Sequence, residues 1–176
     1  MPKFRRLTES EVAIAQRWLQ GLKSELDRVD PSPPSYTSTT EGYLKSLEWV
    51  QHEGIALDPK KVTLFTIFPV LLLIAEHLQT SFGFTLLLSD DLLVLQHDGI
   101  EGCVPLELLA FRPTQSPDGR WLDEDDPIDR AIQAVWKIEE ALKRRQPEQL
   151  NWPDLLLGEK WMWVMTHTFL KGMIEE

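Results

Sequence analysis

Apolar residues recur in steps of three and four near the start of the chain. Val12, Ala15, Leu19, Leu22, Leu26 and Val29 share one helical stripe, with Arg17, Lys23, Glu25 and Arg28 off it. Thr8 and Glu11 stand ahead of the stripe with capping-box spacing, in which a hydroxyl and a carboxylate satisfy the open amide donors of a helix start. The pattern predicts a helix over residues 9–28. Docking of the stripe on a core is the plain reading. A homodimer formed by coiling two copies of this helix is the sharper one, because the stripe spans about three heptads, the least that such pairing needs.

Prolines 31, 33 and 34 among serines make residues 30–38 a connector. Ser38 and Glu41 repeat the capping spacing, and Tyr43, Leu44, Leu47 and Val50 then predict a short amphipathic helix ending near Gly54. Asp58-Pro59 is a third helix start, an acceptor followed by a proline at the first helical position. Residues 60–81 are apolar on nearly every side, as expected of a helix central to the fold. Pro69 is expected to kink or split it, leaving a second piece over residues 70–79. The β-branched residues Val62, Thr63, Thr66 and Ile67 keep a strand open as the alternative at its start.

After Gly83 the period changes to two. Phe84, Leu86 and Leu88 alternate along a first strand, Asp90 and Asp91 form a turn, and residues 92–96 read as a second strand. His97-Asp98-Gly99 is a hairpin signal leading to a third strand over residues 100–104, closed by Pro105. Both faces of the first two strands are apolar, so helices are expected to cover the sheet closely. A short helical turn over 106–111 and a polar loop over 112–124 follow. Asp126-Pro127 opens a helix lined by Ile128, Ala131, Ile132, Val135, Ile138 and Leu142, with Glu139 and Lys143 spaced as a surface pair. Lys143, Arg144 and Arg145 complement the dipole at its end. A tryptophan-rich helix is expected over 155–174. The elements make one α+β domain over residues 1–176, with five to six helices packed around a small three-stranded antiparallel meander.

Charge narrows the partners. With 28 acids against 18 lysines and arginines, the chain carries a net −10, which repels nucleic-acid backbones and anionic membranes and fits plain solubility or a protein partner with a basic surface. From Val62 through Phe111 there is neither lysine nor arginine, the expected mark of the buried heart of the fold. The uncharged run over residues 62–75 is too short to cross a bilayer and contains Pro69, so it reads as core. The single cysteine, Cys103, cannot form an internal disulfide and reads as a buried small hydrophobe. No apolar leader core follows the N-terminal basic residues, and the expected location is cytoplasmic.

Chemical motifs are sparse. The acids Asp123, Glu124, Asp125 and Asp126 precede a helix, where its dipole favours them. Counted as a calcium loop they lack the central glycine and place Ala134 where the bidentate glutamate belongs. His52, His77, His97 and His167 lack zinc-ligand spacing and read as solvated or capping residues, so neither metal nor cofactor is expected. Serine nucleophile elbows, phosphate-binding loops and dinucleotide fingerprints are missing. The seven tryptophans are the unusual feature. Trp121 falls in a polar loop, and Trp161 and Trp163 point about 200° apart on a helix, which leaves one of them for a surface.

The order of helices, meander and helices resembles that of bacterial interaction domains, among them acidic secretion chaperones and toxin-immunity proteins, in architecture alone. The expected function is a non-enzymatic protein-binding domain that uses Trp121, Trp161, Trp163 and the acids Asp123, Glu124, Asp125 and Asp126. The alternative is a small enzyme with a site near the meander, built from His97, Asp98, Asp90 or Glu76.

Overall fold

The computed structural model describes residues 4–29, 39–62, 66–89, 92–98, 103–109 and 126–144, which form an α+β fold. Helix α1 (Glu9–Val29) starts at the capping box. The Glu11 N–H donates to Thr8 Oγ1 at 3.3 Å, and the Thr8 N–H donates to Glu11 Oε2 at 2.7 Å. Ala15, Leu19, Leu22 and Leu26 are buried in the chain's own core, so the stripe that would form a coiled-coil seam is taken up within one copy. Two expectations on α1 are corrected. Val12 is exposed, and Ile14 enters the core in its place. Glu25, expected in solvent, is buried against Arg28, because a docked helix buries a band wider than one row of side chains.

Helix α2 (Thr40–His52) is capped by Thr39, whose Oγ1 accepts from the Gly42 N–H at 3.0 Å. The cap is thus one residue later than the Ser38 spacing predicts. Ser38 and the proline connector lie outside the described residues. Helix α3 (Pro59–Val62) is a single turn, with Asp58 Oδ1 accepting from the Lys60 N–H at 3.0 Å. It lies so close to α1 that a Cβ on Gly21 would sit 3.1 Å from the carbonyl oxygens of both Lys61 and Val62. Glycine at 21 is what allows the two backbones to meet.

Helix α4 (Ile67–Phe82) is the centre of the fold, with Phe68 through Ala75 buried and Trp18 of α1 set edge-on to Phe68 at 5.2 Å. Pro69 does not split it. The proline occupies the first turn, where an N–H would have no acceptor inside the helix. Described helix stops at Val62 and resumes at Ile67, with residues 63–65 outside the described residues. Val62 and Ile67 are both helical, so neither belongs to a strand. Gly83, with φ of 73°, closes α4 in the left-handed region, and its N–H donates to the Gln79 carbonyl. No helix among the described residues is long and apolar enough to cross a membrane.

The sheet has four antiparallel strands in the order β1 (Phe4–Arg6), β2 (Thr85–Ser89), β3 (Leu92–Gln96) and β4 (Cys103–Pro105). The three expected strands are present, the third described only over Cys103–Pro105 and so including the proline expected to close it, and β1 is an addition at the edge. Phe4 faces Ser89 and Arg6 faces Leu87. Three residues reading Phe-Arg-Arg carry no usable alternation, and only the free edge of β2 makes them a strand. A 3₁₀ turn (Leu106–Leu109) leads away from β4. Helix α5 (Pro127–Lys143) begins at Asp126, whose Oδ1 accepts from the Ile128 N–H at 2.7 Å. Leu86, Leu88, Leu93, Leu95 and Val104 of the sheet share one core with α1, α2, α4 and α5. The helix expected over 155–174 and the loop over 112–124 lie outside the described residues.

Candidate functional site

Of the residues expected to carry chemistry, the described ones have separate partners. Glu76, directly after α4's buried run Phe68–Ala75, accepts from Lys23 Nζ at 2.5 Å and from Thr40 Oγ1 at 3.3 Å, and so ties α4 to α1 and α2. His97 follows β3 and lies against Phe84, ring centroids 4.8 Å apart. Asp98 is exposed in the turn beyond it, and Asp90 lies outside the described residues. Among the expected binding residues, Asp126 is the cap of α5. Trp121, Trp161, Trp163, Asp123, Glu124 and Asp125 lie outside the described residues.

The polar cluster that the fold does assemble was not expected from the sequence. His77, on α4, is buried and not solvated. Its Nε2 forms a short hydrogen bond with Glu139 Oε1 of α5, and Ser81 Oγ lies 3.4 Å from its Nδ1. Phe82 and Trp136 set their rings edge-on to the imidazole at 5.8 and 6.4 Å. Glu139 is buried too, and Lys143 Nζ reaches its other oxygen at 3.4 Å, so the expected surface pair exists with one member inside. One signal was available in the sequence. His77 lies three and four residues after Ile74 and Leu73, on a face otherwise apolar, and Glu139 lies four after Val135.

Serine, histidine and acid in this order invite comparison with a hydrolytic triad, but the surroundings oppose that use. The Ser81 contact is at the long limit for a hydrogen bond. Ser81 also stands in the last turn of α4, where the backbone presents carbonyl oxygens. The next free amides, those of Gly83 and Phe84, are already bonded to Gln79 and Leu78. An acyl-transfer site needs donors aimed at a developing oxyanion, and this helix end offers acceptors. The cluster is a tie between α4 and α5, sealed by aromatic rings.

Other charged groups serve structure as well. The Arg5 guanidinium makes two bonds to Glu11, at 2.6 and 2.7 Å, and holds that carboxyl down at about 2, helped by the Thr8 amide and hydroxyl. Arg28 similarly holds Glu25 below the usual carboxylate range, and Lys45 does the same for Glu41. Burial pushes the Cys103 thiol up, which makes it a poorer nucleophile at neutral pH. An open depression of about 390 Å³ beside α1 and α3 is lined by Gln20, Gly21, Ser24, Glu25, Arg28 and Lys61. Its floor carboxylate is already satisfied by Arg28. Among the described residues no group of three or more histidine, cysteine or acidic side chains is placed to hold a metal ion. No protein-family model matches the chain, and neither curated proteins nor solved structures give a match.

Proposed function

We propose that the chain is a non-enzymatic, cytoplasmic binding domain that holds a protein partner with a basic surface. Its contact residues are the acids Asp123, Glu124 and Asp125, joined by Trp121, Trp161 and Trp163.

The charge balance carries this reading. The net charge is −10, and the ion pairs of the described residues engage Arg5, Lys23, Arg28, Lys45, Lys143 and Arg144 with carboxylates of the same chain. Each such pair removes one acid with one cation, so the surplus of acids stands undiminished, and a run of three acids ahead of a helix concentrates it. The engagement of Glu76 by Lys23 and of His97 by Phe84 supports a binding domain over an enzyme sited at the meander.

The test is capture of partners from native lysate by the immobilised chain, at low salt and at about 1 M salt, where the Debye length falls to about 3 Å. A parallel capture uses the variant Asp123→Asn, Glu124→Gln, Asp125→Asn. Asp126 stays unchanged because it caps α5. The expected result is a partner lost both at high salt and with the variant. Absence of any partner at low salt, or a partner indifferent to both changes, overturns the proposal.

A further inference from the structure

Gln20, Gly21, Ser24, Glu25 and Arg28 recur three or four apart along α1 and so share one helical face. Helix α3 lies against that face, brought in by the close approach of its backbone to Gly21. These five residues and Lys61 line the open depression of about 390 Å³, a volume within the usual range for small-ligand sites. Its charge is opposite in sign to that of the chain. The lining holds two cations, Arg28 and Lys61, against one acid, Glu25, on a protein of net charge −10.

Glu25 is 2% exposed, and a carboxylate that far from water must be paired. Its Oε1 accepts from Arg28 Nη2 at 2.5 Å and its Oε2 from Arg28 Nε at 3.1 Å, with the Asp58 N–H 3.5 Å from Oε1. Arg28 foremost, then the Asp58 amide and Lys61, hold this carboxyl below its usual range against the opposing effect of burial, so both cations act on one point. The two-point grip fixes the guanidinium. Its Nη1 has no partner among the described residues, and the side chain is 53% exposed. Lys61 Nζ has neither a hydrogen bond nor an ion pair among the described residues. Asp58, the other acid at this edge, gives its Oδ1 to the Lys60 N–H.

We propose that this depression binds the phosphate monoester group of a small hydroxylated compound. Arg28 Nη1 and Lys61 Nζ hold the phosphate, because a fixed guanidinium and a mobile ammonium together match a compact dianion. Gln20 Nε2 lies 3.4 Å from Ser24 Oγ, and this amide and hydroxyl serve the hydroxyl groups of the ester. Glu25 is a positioning residue that aims Arg28. The site is separate from the acidic contact residues proposed above and does not depend on them.

The test is amide chemical-shift titration of the full-length protein with inorganic phosphate and with glycerol 3-phosphate, at constant ionic strength so that screening does not change. Saturating shifts at the Gly21, Ser24 and Lys61 amides are expected, with a dissociation constant in the millimolar range for inorganic phosphate and a lower one for the ester. Lys61→Gln is expected to weaken both at least several-fold. Lys61→Arg, which keeps the charge, and Lys137→Gln, on the exposed side of α5, are expected to leave them nearly unchanged. Shifts that do not saturate, equal weakening by Lys61→Gln and Lys137→Gln, or an ester that binds less tightly than phosphate itself overturn the proposal. Should Lys61→Gln disturb the fold, Lys61→Arg decides: loss of binding in that variant without loss of stability overturns it too.

Discussion

Adjacent residues of α4, Glu76 and His77, each tie that helix to a neighbour, and the two ties sit in different surroundings. Glu76 meets Lys23 at 2.5 Å with both side chains near one-fifth exposed, so water can replace either partner. His77 meets Glu139 with side chains 3% and 10% exposed, under the rings of Phe82 and Trp136. The difference is one helical step of about 100°, which turns one residue toward α1 and α2 and the next toward α5. A polar group that water can reach loses little with its partner. A sealed one must bear the full desolvation cost.

The largest expected effect comes from splitting the sealed tie. His77→Ala and Glu139→Ala each strand a buried polar partner and are expected to cost about 3 kcal/mol in urea unfolding. Replacing both with leucine is expected to cost far less than the sum. Single variants that each cost below about 1 kcal/mol would show that burial does not separate the two ties.

Glu11 is an intermediate case, a buried carboxylate served by the half-exposed Arg5. Glu11→Gln is expected to cost about 2 kcal/mol at neutral pH, since bonds to a charged group are lost and the exposed arginine is partly screened. The carboxyl is lowered from 4.5 to about 2, so its stabilisation is fully present above pH 4.5 and is lost as pH falls from 4.5 toward 2. Unfolding curves of wild type and variant should converge across that window, and a gap that stays constant would assign the effect to packing.

Ser46 sharpens the comparison from the other side. Its Oγ is buried without a hydrogen-bond partner among the described residues, so Ser46→Ala is expected to stabilise by about 1 kcal/mol in the same assay. The smallest effect is expected at Glu76. Glu76→Gln should cost no more than about 1 kcal/mol, shrinking as salt is added. A loss equal to that of His77→Ala would erase the distinction.

Much of the fold was legible because its signals are local. The Thr8–Glu11 box, Asp126-Pro127 and Gly83 act within one helical turn, and each marks a boundary that the structure keeps. Pro69 misled because a proline reads as a breaker only when the helix start is known. Strand β1 was hidden for a similar reason: Phe4, Arg5 and Arg6 become a strand only beside β2. Of the residues proposed as sites, Glu76, His97 and Asp126 are placed in structural roles. The cluster of His77, Ser81 and Glu139 joins residues 62 positions apart, a separation that no sequence window spans.

Periodicity, caps and breakers by themselves determined that α1, α2 and α5 are helices and β2 and β3 strands, and which of their faces are apolar, because those signals depend on neighbours within about four residues. Charge counting determined that the surface carries an acidic surplus. Only the tertiary structure decided which polar residues are sealed from water, that Glu25, His77 and Glu139 lie inside, and that three residues at the N-terminal edge complete the sheet. Burial and edge pairing depend on what arrives from distant parts of the chain, and that information exists only once the helices have packed.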